Sequence, residues 1–150
     1  MSKPFLDSNI VLYLLSGDTA KADKAEAILA EGGVISVQVL NEVASVCLRK
    51  LKMPWEEVDA LLLAVKAACD VLPLTLASHE KAVEVAKRFQ LSLYDANIVA
   101  AALISGSEVL LSEDMLRISA HRGRSFQTNV DGVSDDHGRC FTLIMDGISP

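Results

Sequence analysis

The hydrophobic positions of the chain alternate between short apolar runs and longer segments with helical spacing. Short runs bounded by turn residues are typical of buried strands, and apolar positions three and four residues apart are typical of helices. The pattern predicts four strands, at Pro4–Leu6, Val34–Val37, Val71–Leu74 and Glu108–Ser112. Between them it predicts helices at Ile10–Leu15, from Asp18 up to Gly32, at Val39–Lys50, after Pro54, at Thr75–Gln90 and at Leu91–Leu103.

Strands that alternate with helices predict an α/β fold with a parallel sheet and right-handed crossovers. The pattern changes after Arg117, where a polar segment rich in Gly, Ser and Asp is predicted to be exposed or mobile. Cys140–Met145 is apolar again and could form a final strand. We therefore expect one domain over residues 1–116, followed by an atypical tail over residues 117–150.

Composition limits the kind of protein and its partners. Hydrophobic residues make up 51% of the chain but aromatic residues only 5%, which indicates an aliphatic core and argues against disorder. The apolar runs are too short to cross a bilayer, so no membrane contact and a cytoplasmic location are expected. The net charge of −6 gives no overall attraction to nucleic acid, so any such contact must be local or helped by cations.

One carboxylate stands out because its surroundings are almost wholly apolar. Asp95 lies near the start of the stretch LSLYDANIVAAAL, on the helical side that also carries Ile98, Val99 and Ala102. Ser92 lies three residues before it and forms the S-x-x-D pattern of a helix cap, which by itself would explain the acid. Helix capping and ligand binding both remain open from this stretch alone.

Three further acids are predicted at the same edge of the sheet. Asp7 and Asp114 follow predicted strands, whereas Glu42 and Asp95 are predicted in the first turns of helices that leave that edge. Taken singly, Glu42 could be a solvated acid that the helix dipole favours. In open parallel sheets, however, the functional crevice lies outside the carboxyl ends of the strands, and four acids there suggest a shared site.

The ligand types available at this edge predict which ion would bind. The chain has three cysteines without C-x-x-C spacing and three histidines without H-x-x-x-H spacing, so a zinc site is not expected. Carboxylates favour Mg²⁺ or Mn²⁺, which also accept water and phosphate oxygens as ligands. Such an ion can activate water and stabilise the charge of in-line attack on a phosphodiester.

Four motifs in this order resemble the PIN-domain ribonucleases, and among them the VapC-like toxins of bacterial toxin–antitoxin pairs. The motifs are FLDSNI, LNEVASV, LSLYDANIVAAAL and LLSEDM, and the resemblance covers Phe5 to Met115. It implies a Rossmann-like α/β/α sandwich with a central parallel sheet of four to five strands. It also implies an Mg²⁺- or Mn²⁺-dependent endoribonuclease that cleaves RNA, forms a homodimer and is inhibited by an antitoxin protein. The implied metal and catalytic residues are Asp7, Glu42, Asp95 and Asp114, with accessory polar positions at Ser8, Asn9, Asn97 and Ser112.

Two questions stay open at this stage. Arg117, Arg122 and Arg124 could form a phosphate-binding patch or be ordinary solvated loop charges, and Arg49 lies two turns from Glu42 on the same helical face. The alternative functions are a non-catalytic acidic α/β module, either receiver-like or protein-binding, and an inactive PIN domain. A receiver would need an acid at the end of a middle strand, which Val71–Leu74 does not supply.

Overall fold

The structure is a computed structural model that describes residues 3–112, 127–129 and 141–144. Within these residues the strands are β1 (Phe5–Leu6), β2 (Gly33–Ser36), β3 (Cys69–Leu72), β4 (Val109–Ser112), β5 (Gln127–Asn129) and β6 (Phe141–Ile144). The helices are α1 (Ser8–Leu12, continued by a 3₁₀ turn over Tyr13–Leu15), α2 (Thr19–Glu31), α3 (Val37–Arg49), α4 (Trp55–Ala68), α5 (Leu76–Phe89) and α6 (Leu93–Ser105). No helix in the described ranges is long and apolar enough to span a membrane.

The strands form one sheet in the order β3-β2-β1-β4-β6-β5. β3, β2, β1 and β4 run parallel, whereas β6 and β5 are antiparallel to their neighbours. The predicted α/β/α sandwich with a central parallel sheet is confirmed, with four parallel strands. β1 lies in the middle of these four and carries Phe5 and Leu6 fully buried.

The core is aliphatic, as the composition predicts, and α6 is its most deeply buried helix. Ala96 and every residue from Ile98 to Ala102 are buried, and α6 packs mainly against α5 and β2. A helix that is apolar on nearly all sides has to be buried. Ser92 accepts a hydrogen bond from the amide of Asp95 at 3.2 Å, so the predicted cap is present. A left-handed glycine, Gly106, ends the helix.

Two predicted boundaries are wrong, and the second affects the candidate site. β3 begins two residues earlier than predicted and includes the exposed Asp70, which pairs with Lys3 at 2.9 Å. α3 begins at Val37 and not at Val39, because β2 ends at Ser36, where its pairing with β3 also ends. Glu42 consequently lies in the second turn of α3, and the predicted first-turn position next to the helix dipole is incorrect.

The C-terminal part of the chain contributes more strand than the pattern predicts. The strand expected within Cys140–Met145 is present as β6, which pairs with β4 through residues 109–112 and 141–144. β5, over the polar residues Gln127–Asn129, was not predicted and exists through its pairing with β6. Most of the segment predicted to be exposed or mobile lies outside the described residues.

Candidate active site at the carboxyl end of the sheet

Asp7 lies where the central strand passes into the first helix. It is only 7% exposed and serves as the N-cap of α1, with Oδ1 accepting a hydrogen bond from the Ser8 amide at 2.6 Å. Its own amide donates to the Leu111 carbonyl at 3.0 Å, which continues the pairing of β1 with β4 by one residue. The backbone on both sides of Asp7 is thereby fixed, and its carboxylate is held at the carboxyl end of the parallel sheet.

Ser112 holds the second oxygen of the same carboxylate. Leu6 pairs with Leu111, so the next residues along each strand, Asp7 and Ser112, lie side by side. The Ser112 hydroxyl donates to Asp7 Oδ2 at 2.6 Å and is 1% exposed. A short hydrogen bond to an ionised acceptor is among the stronger kinds in proteins, so Ser112 fixes the orientation of Asp7.

The Ser8 hydroxyl contacts both Asp7 and Glu42, although Glu42 lies 34 positions after Ser8 in the chain. Its hydroxyl is 2.7 Å from Glu42 Oε2 and 3.3 Å from Asp7 Oδ1, and because a hydroxyl has one hydrogen, the shorter contact is the one it donates. Gln38, one turn before Glu42 on α3, donates to Glu42 Oε1 at 3.1 Å. Two carboxylates from separate elements thus share one serine at the sheet edge.

Asp95 lies at the third position of α6 and is half-buried. Its amide is held by Ser92, and the buried side of α6 beneath it fixes the helix against the sheet. Within the described part of the chain, its carboxylate forms no hydrogen bond with Asp7 or Glu42. Among the described residues, the structure joins Asp7 and Glu42 through the Ser8 hydroxyl and places Asp95 on a helix packed against the sheet.

The other residues considered from the sequence lie in different places. Asn97 donates to the Leu93 carbonyl of its own helix at 2.9 Å and lines an apolar groove of about 370 Å³ between α5 and α6. Arg49 is exposed in the last turn of α3, about 10 Å along the helix axis from Glu42. Asn9 lies in α1, and its Oδ1 is buried without a partner in the described residues. Asp114 and Arg117 lie outside the described residues.

Two residues at this edge were missed by the sequence reasoning. Gln38 contacts Glu42 directly, and its spacing of four residues before an acid on a helix was the available signal. Ser36 ends β2 with no exposed surface, and its Oγ has no hydrogen-bond partner in the part of the chain that the structure describes. No sequence signal distinguishes Ser36 from an ordinary helix cap.

The residues at this edge fit a hard divalent cation in their chemistry. Asp7, Glu42, Asp95 and the nearby hydroxyls supply only oxygen donors, which are the ligands that Mg²⁺ and Mn²⁺ prefer. The buried, unpartnered Ser36 Oγ at the same edge is a further oxygen available for bonding. In residues 3–112 and the two short strands after them, no three His, Cys, Asp or Glu side chains form a group that could hold a metal. Asp114, the fourth predicted ligand, lies beyond those residues.

An open α/β sheet with carboxylates gathered at the carboxyl ends of its strands defines a class of proteins whose functional sites lie at that edge. The family model of the PIN domain matches residues 5–116. This match covers most of the chain, so the chain belongs to the PIN domain family. The predicted family resemblance is thereby confirmed.

Solved structures with the same fold come from several bacteria. A toxin–antitoxin complex from Klebsiella pneumoniae is 24% identical with a TM-score of 0.58, covering 75% of this chain and 87% of the other. Mycobacterium tuberculosis VapC20, described as a toxin that cleaves the sarcin–ricin loop, is 20% identical with a TM-score of 0.57, covering 69% and 84%. Rickettsia felis VapBC2, bound to a DNA fragment from its promoter, is 16% identical with a TM-score of 0.58, covering 76% and 91%. No curated protein matches the sequence.

Proposed function

We propose that the protein is a metal-dependent endoribonuclease and the toxin of a toxin–antitoxin pair. The observation that carries this proposal is the bridge from Asp7 through Ser8 to Glu42 at the carboxyl end of the sheet. Two carboxylates so placed repel each other, and a cation between them relieves that repulsion. Membership of the PIN family and a fold shared with VapC toxins support the assignment.

Each residue has a proposed role in this site. Asp7, Asp95 and Asp114 would hold Mg²⁺ or Mn²⁺, and Glu42 would bind the ion directly or through a water molecule. When bound, the ion supplies activation of that water and stabilisation of the charge that develops on the phosphate. Ser112 and the Ser8 amide keep the Asp7 carboxylate oriented, while Gln38 and the Ser8 hydroxyl orient Glu42.

The remaining proposed roles concern the substrate and the partners. Ser8, Asn9, Asn97 and Ser112 are the accessory polar residues, and Arg49 and Arg117 are proposed contacts to phosphate. RNA is the proposed substrate, and an acidic protein can accept this anion because the cation neutralises the site. The structurally similar toxin–antitoxin complexes support a cognate antitoxin as a partner, and we further propose a homodimer that acts in the cytoplasm.

Cleavage of RNA by matched acid variants tests the proposal. Purified protein should cut RNA with Mg²⁺ or Mn²⁺ and lose that activity with EDTA. Asp95→Asn should reduce cleavage by at least about a hundredfold, because the amide keeps the shape of the side chain but removes a ligand charge. Asp59→Asn on the exposed side of α4 removes an equal charge away from the site and should cut normally.

The same two variants test the proposed toxin role in cells. Expression of the wild-type chain and of Asp59→Asn should arrest growth, whereas Asp95→Asn should not. Undiminished cleavage by Asp95→Asn would contradict the assigned site, and normal growth with abundant wild-type protein would contradict the toxin role.

An inactive, protein-binding PIN domain is the second candidate. Membership of the PIN family and the fold are compatible with this candidate as well. The two candidates differ in the cleavage assay, because an inactive domain would bind a protein partner but cut no RNA with either metal.

A further inference from the structure

Ser36 occupies a position beside Asp7 that mirrors that of Ser112. Phe5 pairs with Val34, and continuing this parallel register by two residues along each strand brings the backbone of Asp7 next to that of Ser36. Phe5 also pairs with Leu110, which places Ser112 on the other side of Asp7. Neighbouring strands are about 4.8 Å apart, so the two serines flank the carboxylate along the edge of the sheet.

The two flanking hydroxyls differ in their bonding. Ser112 donates to Asp7 Oδ2 at 2.6 Å, whereas the buried Ser36 Oγ has no partner in the described residues. A buried hydroxyl without a partner has lost its bonds to water and gained none in return, which is unfavourable. A hydrogen bond formed by this hydroxyl in a ligand-bound state would offset that penalty.

Helix capping does not supply this interaction. Ser36 is the N-cap residue of α3, where serine commonly accepts a bond from a first-turn amide, but its side chain forms no such bond. The N-cap residues of four other helices do form it: Asp7 of α1 at 2.6 Å, Asp18 of α2 at 3.0 Å, Thr75 of α5 at 3.0 Å and Ser92 of α6 at 3.2 Å.

We infer that Ser36 is a positioning residue whose hydroxyl becomes hydrogen-bonded when a hydrated divalent cation binds beside Asp7. Mg²⁺ and Mn²⁺ keep several waters in protein sites, and such waters need hydrogen-bond partners outside the ligand set. Serine has three staggered χ1 rotamers, so its hydroxyl can be redirected toward such a water without a change of the backbone. The inference rests on the metal site of the proposed function and adds a residue that would stabilise its water.

Ser36→Ala tests the inference through two measurements, the urea midpoint of the metal-free protein and its affinity for Mn²⁺. A capping role predicts a lower midpoint and unchanged affinity, whereas a positioning role predicts weaker affinity without a lower midpoint. In the metal-free protein, with EDTA, the urea midpoint should stay the same or rise, because the variant removes an unpartnered buried hydroxyl. Titration of the same protein with Mn²⁺, followed by calorimetry, should show about tenfold weaker binding, as is common for residues that support metal ligands.

Thr75→Ala is the matched control because it removes a side chain that does cap a helix. It should lower the urea midpoint and leave Mn²⁺ affinity unchanged. A lower metal-free midpoint for Ser36→Ala, or Mn²⁺ binding equal to that of the wild type, would overturn the inference. Wild-type protein that binds no Mn²⁺ would instead refute the proposed metal site itself, so the two failures can be distinguished.

Discussion

Removal of the Ser112 hydroxyl should destabilise the protein more than removal of a comparable hydroxyl elsewhere. Ser112→Ala leaves Asp7 Oδ2 without its 2.6 Å donor, in a carboxylate that is 7% exposed. Hydrogen bonds to charged groups contribute about 1.5–3 kcal/mol, so we expect the free energy of unfolding to fall by about 2 kcal/mol. For a chain of this size, that loss corresponds to a melting temperature lower by about 4–8 °C.

Ser107→Ala provides the control, because the Ser107 hydroxyl is also buried but donates to a neutral acceptor, the Lys3 carbonyl, at 2.9 Å. Its removal should cost about 1 kcal/mol. Urea unfolding in EDTA, monitored by circular dichroism, measures the free energy of unfolding of both variants. If the slope of that free energy with urea concentration is the same as in the wild type, the unfolded states are comparable. A loss for Ser112→Ala no greater than that for Ser107→Ala would refute the claim that the hydrogen bond is charge-assisted.

Two further predictions concern the core around the site. Gly33→Ala should lower the free energy of unfolding, measured in urea, by about 1–3 kcal/mol. The reason is that the added Cβ would lie 2.7 Å from Cδ1 of the fully buried Leu6. Gly17→Ala is the control and should not lower it, because a Cβ at Gly17 has no neighbour within 4 Å. Burial raises the pKa of the Cys47 and Cys69 thiols above 9.0, so at pH 8 both should react slowly with a thiol reagent in the native protein and fast in urea, as measured by mass spectrometry of labelled peptides. Because the native state retains these protons, stability should also fall as the pH rises above 9.0. Equal labelling rates in the native and unfolded states would contradict the burial of these thiols.

The apolar pattern predicted the order and type of the helices and of the parallel strands because most of these elements pack against a common core. α6 is the clearest case, since nearly every residue from Ala96 to Ala102 must be apolar on a helix that is buried on most sides. The first two residues of its predicted range, Leu91 and Ser92, lie before the helix because Ser92 caps it. Local patterns specify such elements well, but their exact ends depend on caps and neighbours.

The boundary between β2 and α3 shows what a local pattern cannot specify. Val37 is β-branched and continues the run of Val34 and Ile35, so propensity alone favours extending the strand. The structure ends β2 at Ser36, opposite Leu72 of β3, and the chain passes directly into a helix. Tertiary pairing overrides propensity here. Because α3 begins two residues earlier than predicted, Glu42 falls in its second turn, where Ser8 and Gln38 contact it.

β5 was missed for a different reason. Gln127, Thr128 and Asn129 have no apolar alternation, and their strand is defined by backbone bonds to β6. A polar segment of three residues becomes a strand only when a neighbouring strand supplies those bonds. The residues of the segment do not indicate which strand that will be.

The carboxylates of the candidate site stand out in the sequence on physical grounds, whereas its hydroxyls do not. Ser8 and Ser112 were expected only from the family resemblance, and Ser36 was not expected at all. Asp7 directly follows a buried strand, and Asp95 lies on an otherwise apolar helix. An acid in such apolar surroundings is unusual, and this can be recognised from the sequence. A serine at a strand or helix end conflicts with nothing, because serine is common at caps and turns. Only the pairing of β1 with β2 and β4 shows that Ser36 and Ser112 both lie beside Asp7. Of these two serines, Ser36 has no hydrogen-bond partner in the described residues, and it is the one whose inferred role depends on what binds at the site.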